Sequence, residues 1–291
     1  NMTEAGKLTM PATTSAPWNG MRIPNGRLLL VGDQGYGDTI QFARYIEMAR
    51  ERVQEVVLGC SEEMGPLLRD MPGVDHFYSK WTDVPGHAAY CRLSSLPYVF
   101  QTKPDTIPNK VPYMKADPAR IAAWRERLNS SLPAGKKRVG IAWTGRPTHP
   151  NDRRRSIGLR RLLPLGEIEG IAWVSLQKPM PAADKELLSH FPHMIDIADD
   201  LTDFGETAAL MENLDLIVTI DTSMGHLAGA LARPVWIMLA KAADFRWMLD
   251  RSDTPWYPTA RLFRQKVAGG WDPVGEEVKA ALAGKVGGSG S

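Results

Sequence analysis

The stretch "RLLLVGDQGYGDTIQFARYIEMAR", residues 27–50, decides the reading of this chain. "RLLLVG" (27–32) reads as a buried strand, and "TIQFARYIEMARE" (39–51) carries apolar residues at helical spacing. Between them Gly32, Gly37 and Thr39 fall where a phosphate-binding P-loop would put them. The lysine of that motif is missing, and Asp38 stands in its place. A phosphate already carries negative charge, so a carboxylate there repels it unless a cation intervenes. Gly35 and Gly37 leave room for a ligand to approach the backbone. Two readings of Asp38 stand side by side. Either it caps the helix, with Gln41 at capping-box spacing, or it takes a proton from an acceptor hydroxyl.

Outward from this stretch, short apolar runs alternate with amphipathic ones. "VQEVVLGC" (53–60) and "VDHFYSK" (74–80) read as strands, with a helix at 61–71. Residues 96–118 are proline-containing and show no clear period, 119–128 are helical, and 129–137 form a Ser/Pro/Gly linker. The alternation then restarts. Strands are expected at 138–145, 171–177, 194–199, 214–221, 234–240 and 260–265, and a closing helix at 272–284. Two successive βαβ series predict two α/β domains with parallel sheets. We place a polar, mobile N-terminus at 1–17, a first domain at 18–130, a second at 131–285 and a linker or tag at 286–291. Ligands of such folds bind beyond the carboxyl ends of the strands, here in the gap between domains.

A formal net charge of +2 is too balanced for a whole-molecule nucleic-acid binder. The two cysteines, Cys60 and Cys91, form neither a disulfide framework nor a zinc pattern, which fits a reducing, cytoplasmic location. No signal peptide or membrane span is visible.

Two further constellations sit at strand ends. In "IDTSMGHLAGAL" (220–231) an apolar strand ends at Asp221, and a helix begins with Thr222, Ser223 and Gly225, with His226 in its first turn. Free N–H groups and the helix dipole favour anions there, which suggests a diphosphate site. The alternative is that Asp221 or Thr222 caps the helix and His226 packs inside. In "AWTGRPTHPNDRRRSIGL" (142–159) a polar loop carries Arg146, Arg153, Arg154 and Arg155. Such a run is a solvated face or an anion patch, and the guanidinium fork suits phosphate. Trp143, Trp173, Trp247 and Trp256 are read as core. Arg246 is read as able to reach the cleft, and His76, His87, His149, His190 and His193 as structural or exposed.

Together "GDQGYGDTIQFARYI", "NDRRRSI", "SLQK" and "IDTSMGHLAGALARPVWIML" resemble glycosyltransferases related to the bacterial ADP-heptose:lipopolysaccharide heptosyltransferases. They look closer still to the transferase domains behind tetratricopeptide repeats in bacterial proteins. The resemblance covers roughly residues 18 to 271. It implies a GT-B architecture of two Rossmann-like domains around a cleft, a nucleotide-diphosphate sugar donor, inversion at the anomeric carbon, and no metal or other cofactor. By position, Asp38 matches the proposed general base, and Asp221, Thr222 and His226 match the donor motif, with Ser223 and Gly225 in the same turn. Arg155 stands where the heptosyltransferases carry a phosphate-contacting lysine. Gln177 and Lys178 lie near the ribose contact, where the family has a glutamate. Gly35, Tyr36, Gly37, Gln41 and Arg246 belong to the acceptor side or cleft. The implied partners are a nucleotide sugar, a protein or glycan acceptor, and a repeat domain, fused or separate. Rival readings are a GT-B module that binds nucleotide sugars without catalysis, and a sugar-nucleotide epimerase.

Overall fold

The strand read from Arg27 begins earlier than its apolar run. β2 (Ile23–Val31) places Leu28 to Val31 entirely inside, which is why that segment is continuously apolar. It is the centre of a five-stranded parallel sheet with β1 (Ala16–Pro17), β3 (Val53–Gly59), β4 (His76–Tyr78) and β5 (Ala89–Arg92), in the order β1-β5-β2-β3-β4. The structure, a computed structural model, describes Thr3–Glu4, Lys7–Leu8, residues 13–33 and residues 35–287. Residues 1–2, 5–6 and 9–12 of the segment expected to be mobile (1–17), and most of the linker at 286–291, lie outside the described residues. Thr3–Glu4 pairs antiparallel with Lys7–Leu8, and Ala16–Pro17 pairs with Ala89–Tyr90, so the first sheet starts before Trp18.

The second sheet holds β6 (Lys137–Ala142), β7 (Ile171–Ser175), β8 (Ile195–Asp196), β9 (Leu216–Ile220), β10 (Val235–Leu239) and β11 (Ala260–Arg264). Its order is β8-β7-β6-β9-β10-β11, parallel throughout. This is the doubly wound order, which reverses direction between β6 and β9. The first sheet reverses between β2 and β5. Each reversal opens a crevice beyond the strand ends, where ligands bind in such folds.

Several local expectations are corrected. The helix expected at 39–51 is broken into α1 (Tyr36–Phe42), a 3₁₀ turn at Ala43–Tyr45 and a helical turn at Ile46–Arg50. At the break, Arg44 turns inward and its Nε donates to the Gln41 carbonyl at 2.8 Å, engaging an acceptor of the helical ladder. The linker is shorter than read, because α2 (Pro118–Ser131) continues to Ser131 and β6 begins at Lys137. The closing helix α5 (Asp272–Gly287) could reach either domain. Its Val274, Val278 and Leu282 bury against Leu162, Leu165 and Ile171 of the second.

The side of the second sheet opposite α5 shares one continuous apolar cluster with the first domain, joining Leu28, Ile40 and Tyr45 to Ala142, Leu227 and Trp256. α2 extends this contact. Arg120 pairs with Asp203 at 2.9 Å and Glu206 at 3.1 Å, and Trp124 Nε1 donates to Glu206 at 2.8 Å, fastening α2 to α3 (Phe204–Met211). Among the described residues no helix is long and apolar enough to cross a membrane.

Candidate active site

The two crevices meet. α1 of the first domain packs on α4 (Ser223–Ala230) of the second. The contact is close at Gly37, where a Cβ would stand 2.8 Å from His226 Cδ2. Gly37 is thus small for a physical reason: any side chain would push the two domains apart. Gly35 serves differently. A Cβ there would stand 2.8 Å from Asp38 Oδ2, so its absence lets the Asp38 carboxylate fold back over the turn.

The capping reading of Asp38 is corrected. The N-cap of α1 is Gly35, no side chain caps the helix, and Asp38 lies within its first turn. Its Oδ1 accepts from Arg246 Nη2 at 2.7 Å across the domain boundary. Arg246 Nε donates to Asp244 at 2.8 Å, and Nη1 lies 3.4 Å from His226 Nε2. A guanidinium can only donate, so His226 Nε2 is the acceptor and the ring proton sits on Nδ1, 2.9 Å from the Tyr257 hydroxyl. Burial, then Arg246, Arg44 and Arg155, hold His226 well below the ordinary histidine range, so it is neutral. Trp247 stacks on its ring at 5.2 Å.

The start of α4 gathers three expected residues. Thr222 is the N-cap, but its hydroxyl lies 3.4 Å from that of Thr219 and caps no backbone N–H. The first-turn N–H groups therefore have no side-chain partner. Arg155 Nη1 donates to the Asp221 carbonyl at 2.8 Å, placing a guanidinium at the end of β9. Burial raises the Asp221 carboxyl above its usual range, opposed by Trp247 and Arg246. Ser223 is half-buried beside Thr222, whereas Gly225 faces Ile237 and serves helix–sheet packing.

Other expected residues lie elsewhere. Gln177 is buried with its amide fully engaged. It accepts from the Trp143 and Thr144 N–H groups at 3.0 and 2.9 Å, and donates to the Thr144 and Pro179 carbonyls at 3.2 and 3.1 Å. It shapes the loop after β6 and has no group left for a ribose. Lys178 Nζ donates to the Leu201 carbonyl at 2.6 Å. Gln41 is fully buried, so it lines no open cleft. Tyr36 crosses between domains, with its ring 4.7 Å from Phe204 and the Arg146 guanidinium 5.8 Å above it.

Sequence reasoning missed a cavity of about 400 Å³ lined by Asp33, Gly35, Asp38, Phe42, Arg92, Ser94, Phe245 and Arg246. It opens at the reversal of the first sheet. The Ser94 N–H and hydroxyl hold Asp33 at 2.9 and 2.5 Å, and burial first, with Asp38 adding to it, raises the Asp33 carboxyl. The signal was the repeated Gly-Asp at 32–33 and 37–38. Arg92 and Ser94 had none, because β5 is too short to stand out as a strand. His149, read as structural or exposed, is held below the ordinary histidine range by burial first and then by Arg155.

With this geometry in place, comparison with known proteins is informative. The sequence model of Glycosyltransferase family 9 (heptosyltransferase) matches residues 183–245, which carry Asp221 to His226 but neither Asp38 nor Arg155. Protein FlbA of Caulobacter vibrioides is 25% identical over 309 residues, covering 94% of this chain and 50% of FlbA. The chain therefore spans about half the length of that curated relative. A glycosyl transferase family 9 structure from Veillonella parvula superposes with a TM-score of 0.63 at 12% identity, over 91% of this chain and 98% of its own. The E. coli ADP-heptose lps heptosyltransferase II gives 0.61 at 14% identity, over 91% and 100%. The iron-containing dodecameric glycosyltransferase TibC of enterotoxigenic E. coli gives 0.54 at 15%, over 87% and 67%. The fold is α/β with two parallel sheets and matches the GT-B heptosyltransferase structures. A match to the family 9 model seated in that fold supports a glycosyltransferase.

Proposed function

We propose that the protein is an inverting glycosyltransferase that works without a bound metal, moving a sugar from a nucleotide-diphosphate donor to a hydroxyl of a protein or glycan acceptor. The observation that carries this reading is the meeting of two strand-end crevices at Gly37 and His226, with Asp38 on one side and the uncapped start of α4 on the other. In this reading the donor diphosphate lies on the α4 start, against Thr222, Ser223 and Arg155. The acceptor enters the cavity beside Asp38. The acceptor oxygen attacks the anomeric carbon and its proton passes to the Asp38 carboxylate. The bond to the diphosphate breaks on the opposite face, and its electron pair leaves with the phosphate. Helix N–H groups and Arg155 stabilise that developing charge. General-base assistance of this kind is worth about 10²–10⁴-fold.

The cytoplasmic assignment belongs to the proposal through cysteine usage alone: Cys60 and Cys91 are both free and buried. A repeat partner or fused repeat domain belongs to the proposal through the sequence resemblance alone. One observation favours the rival, non-catalytic reading: the Asp38–Arg246 pair gives the carboxylate a structural partner. A thermal-shift panel of ADP-, GDP-, UDP- and CMP-sugars, followed by transfer or hydrolysis with the stabilising donor in the presence of chelator, separates the two. Stabilisation with turnover supports the transferase. Stabilisation without turnover supports the binding module, and no stabilisation by any donor rejects both.

A further inference from the structure

One oxygen of the proposed base is occupied in this structure. Asp38 Oδ1 accepts from Arg246 Nη2 at 2.7 Å, while the side chain stays partly exposed at the cavity edge. An acceptor hydroxyl needs one of the carboxylate oxygens. The cation that holds Oδ1 is itself placed to leave. Asp244 accepts from the Arg246 backbone N–H at 3.2 Å and from Nε at 2.8 Å, and because the guanidinium is planar its fork moves as one unit about the aliphatic torsions. Nη1 points toward His226, one helical turn from Thr222. His226 Nε2 is a weak, neutral partner at 3.4 Å, and a phosphate oxygen would be a far better one. The chain just after Arg246 holds two non-glycine residues in the left-handed region, Met248 at φ 55° and Asp250 at φ 50°. Such conformations collect where a segment has two working positions.

We propose that Arg246 partitions between two anions, the Asp38 carboxylate and the diphosphate of the donor, and so couples donor binding to exposure of the base. This rests on the donor and base roles given under Proposed function. A diphosphate on the α4 start draws the guanidinium fork toward it. Oδ1 of Asp38 is then released to take the acceptor proton, while the leaving diphosphate gains a second guanidinium beside Arg155. Donor binding thus raises the share of Asp38 that is free of Arg246 and able to take the acceptor proton. Arg246 is a positioning residue for Asp38 and a binding residue for the diphosphate.

The test is a double-mutant cycle on nucleoside diphosphate affinity, measured by calorimetry on the full chain with ADP, GDP, UDP and CDP. In wild type the ligand must draw Arg246 away from Asp38. Asp38→Asn removes the competitor and is expected to tighten binding about three- to tenfold. Arg246→Ala is expected to weaken it about tenfold or more, with partial rescue by Arg246→Lys. In the double variant the Asp38→Asn gain disappears. A gain that persists without Arg246, or no gain at all while wild type binds, overturns the coupling and leaves the donor reading standing. No binding of any nucleoside diphosphate to wild type overturns the donor reading and the coupling with it. Retained circular dichroism and urea midpoints within the set show that the affinities report on folded protein.

Discussion

The two strand–helix junctions that face each other are built from the same parts and used differently. At the first, β2 runs into α1 through glycines, and the acid, Asp38, stands in the first helical turn, partly exposed and paired across the boundary. At the second, β9 runs into α4, and the acid, Asp221, stands before the helix with its carboxyl raised by burial. The first keeps a charged oxygen at the edge of a cavity. The second raises its carboxyl and leaves first-turn N–H groups without a side-chain cap, with Arg155 donating to the Asp221 carbonyl. An acid is compatible with anion binding at one junction because its carboxyl is raised toward the neutral form, and the other junction is free to hold an acid because its own helix start carries no phosphate in this reading. The contrast turns on surroundings more than on residue type.

The contrast is broken most strongly by undoing what holds the junctions together. Arg44 is buried and donates to carbonyls of Gln41, Pro108 and Trp256 and to the Tyr113 hydroxyl, with its guanidinium 4.8 Å from the Tyr257 ring. Arg44→Met leaves those acceptors without a donor. It should cost about 3 kcal/mol or more in urea unfolding, since each orphaned buried polar group costs about 1–3 kcal/mol. A loss under about 1 kcal/mol would show that the network does not join the domains.

A change at the second junction alone should act on affinity. Arg155→Ala is expected to weaken nucleoside diphosphate binding by about 1.5–3 kcal/mol, the scale of a charged hydrogen bond. Unaltered affinity removes Arg155 from the site. Gly37→Ala tests the contact between junctions. Its new methyl would meet the His226 ring, and overpacking of this kind costs about 1–3 kcal/mol, read as a lowered melting temperature. A neutral effect would mean that the junctions can separate freely.

The smallest effect is the pH dependence, and it sharpens the contrast within the second junction. His226 is held neutral in the fold, whereas the unfolded chain takes up a proton there below about pH 6.5. Its contribution is present above that pH and is lost as pH falls. Asp221, raised in the fold, runs the opposite way: its contribution is present at low pH and is lost as pH rises through the raised value. Unfolding free energies between pH 7.5 and 5 should fall with acidification by at most about 1.4 kcal/mol per pH unit from His226. That slope should flatten in His226→Gln.

Much of this arrangement was legible in residue order. Continuous apolar runs marked the buried parallel strands, and the run from Asp221 to His226 marked a helix start at a strand end. What patterning could not supply was which strands are neighbours. Asp33, Arg92 and Ser94 share a cavity only because β5 lies beside β2, a crossover that leaves no local trace. Side-chain direction was the other gap. Gln41 and Gln177 sit where a polar residue near a strand end suggests a ligand contact. Gln41 is wholly buried, and Gln177 serves backbone amides of the next loop. Arg44 looks like a solvated helix residue until the break in α1 turns it inward.

Turnover of Asp38→Asn with a donor that stabilises the wild type tests the central claim most directly. The account predicts nucleotide affinity at least equal to wild type and a loss of about 10²-fold or more in transfer. Transfer at the wild-type rate would contradict it, since no proton would then need this carboxylate.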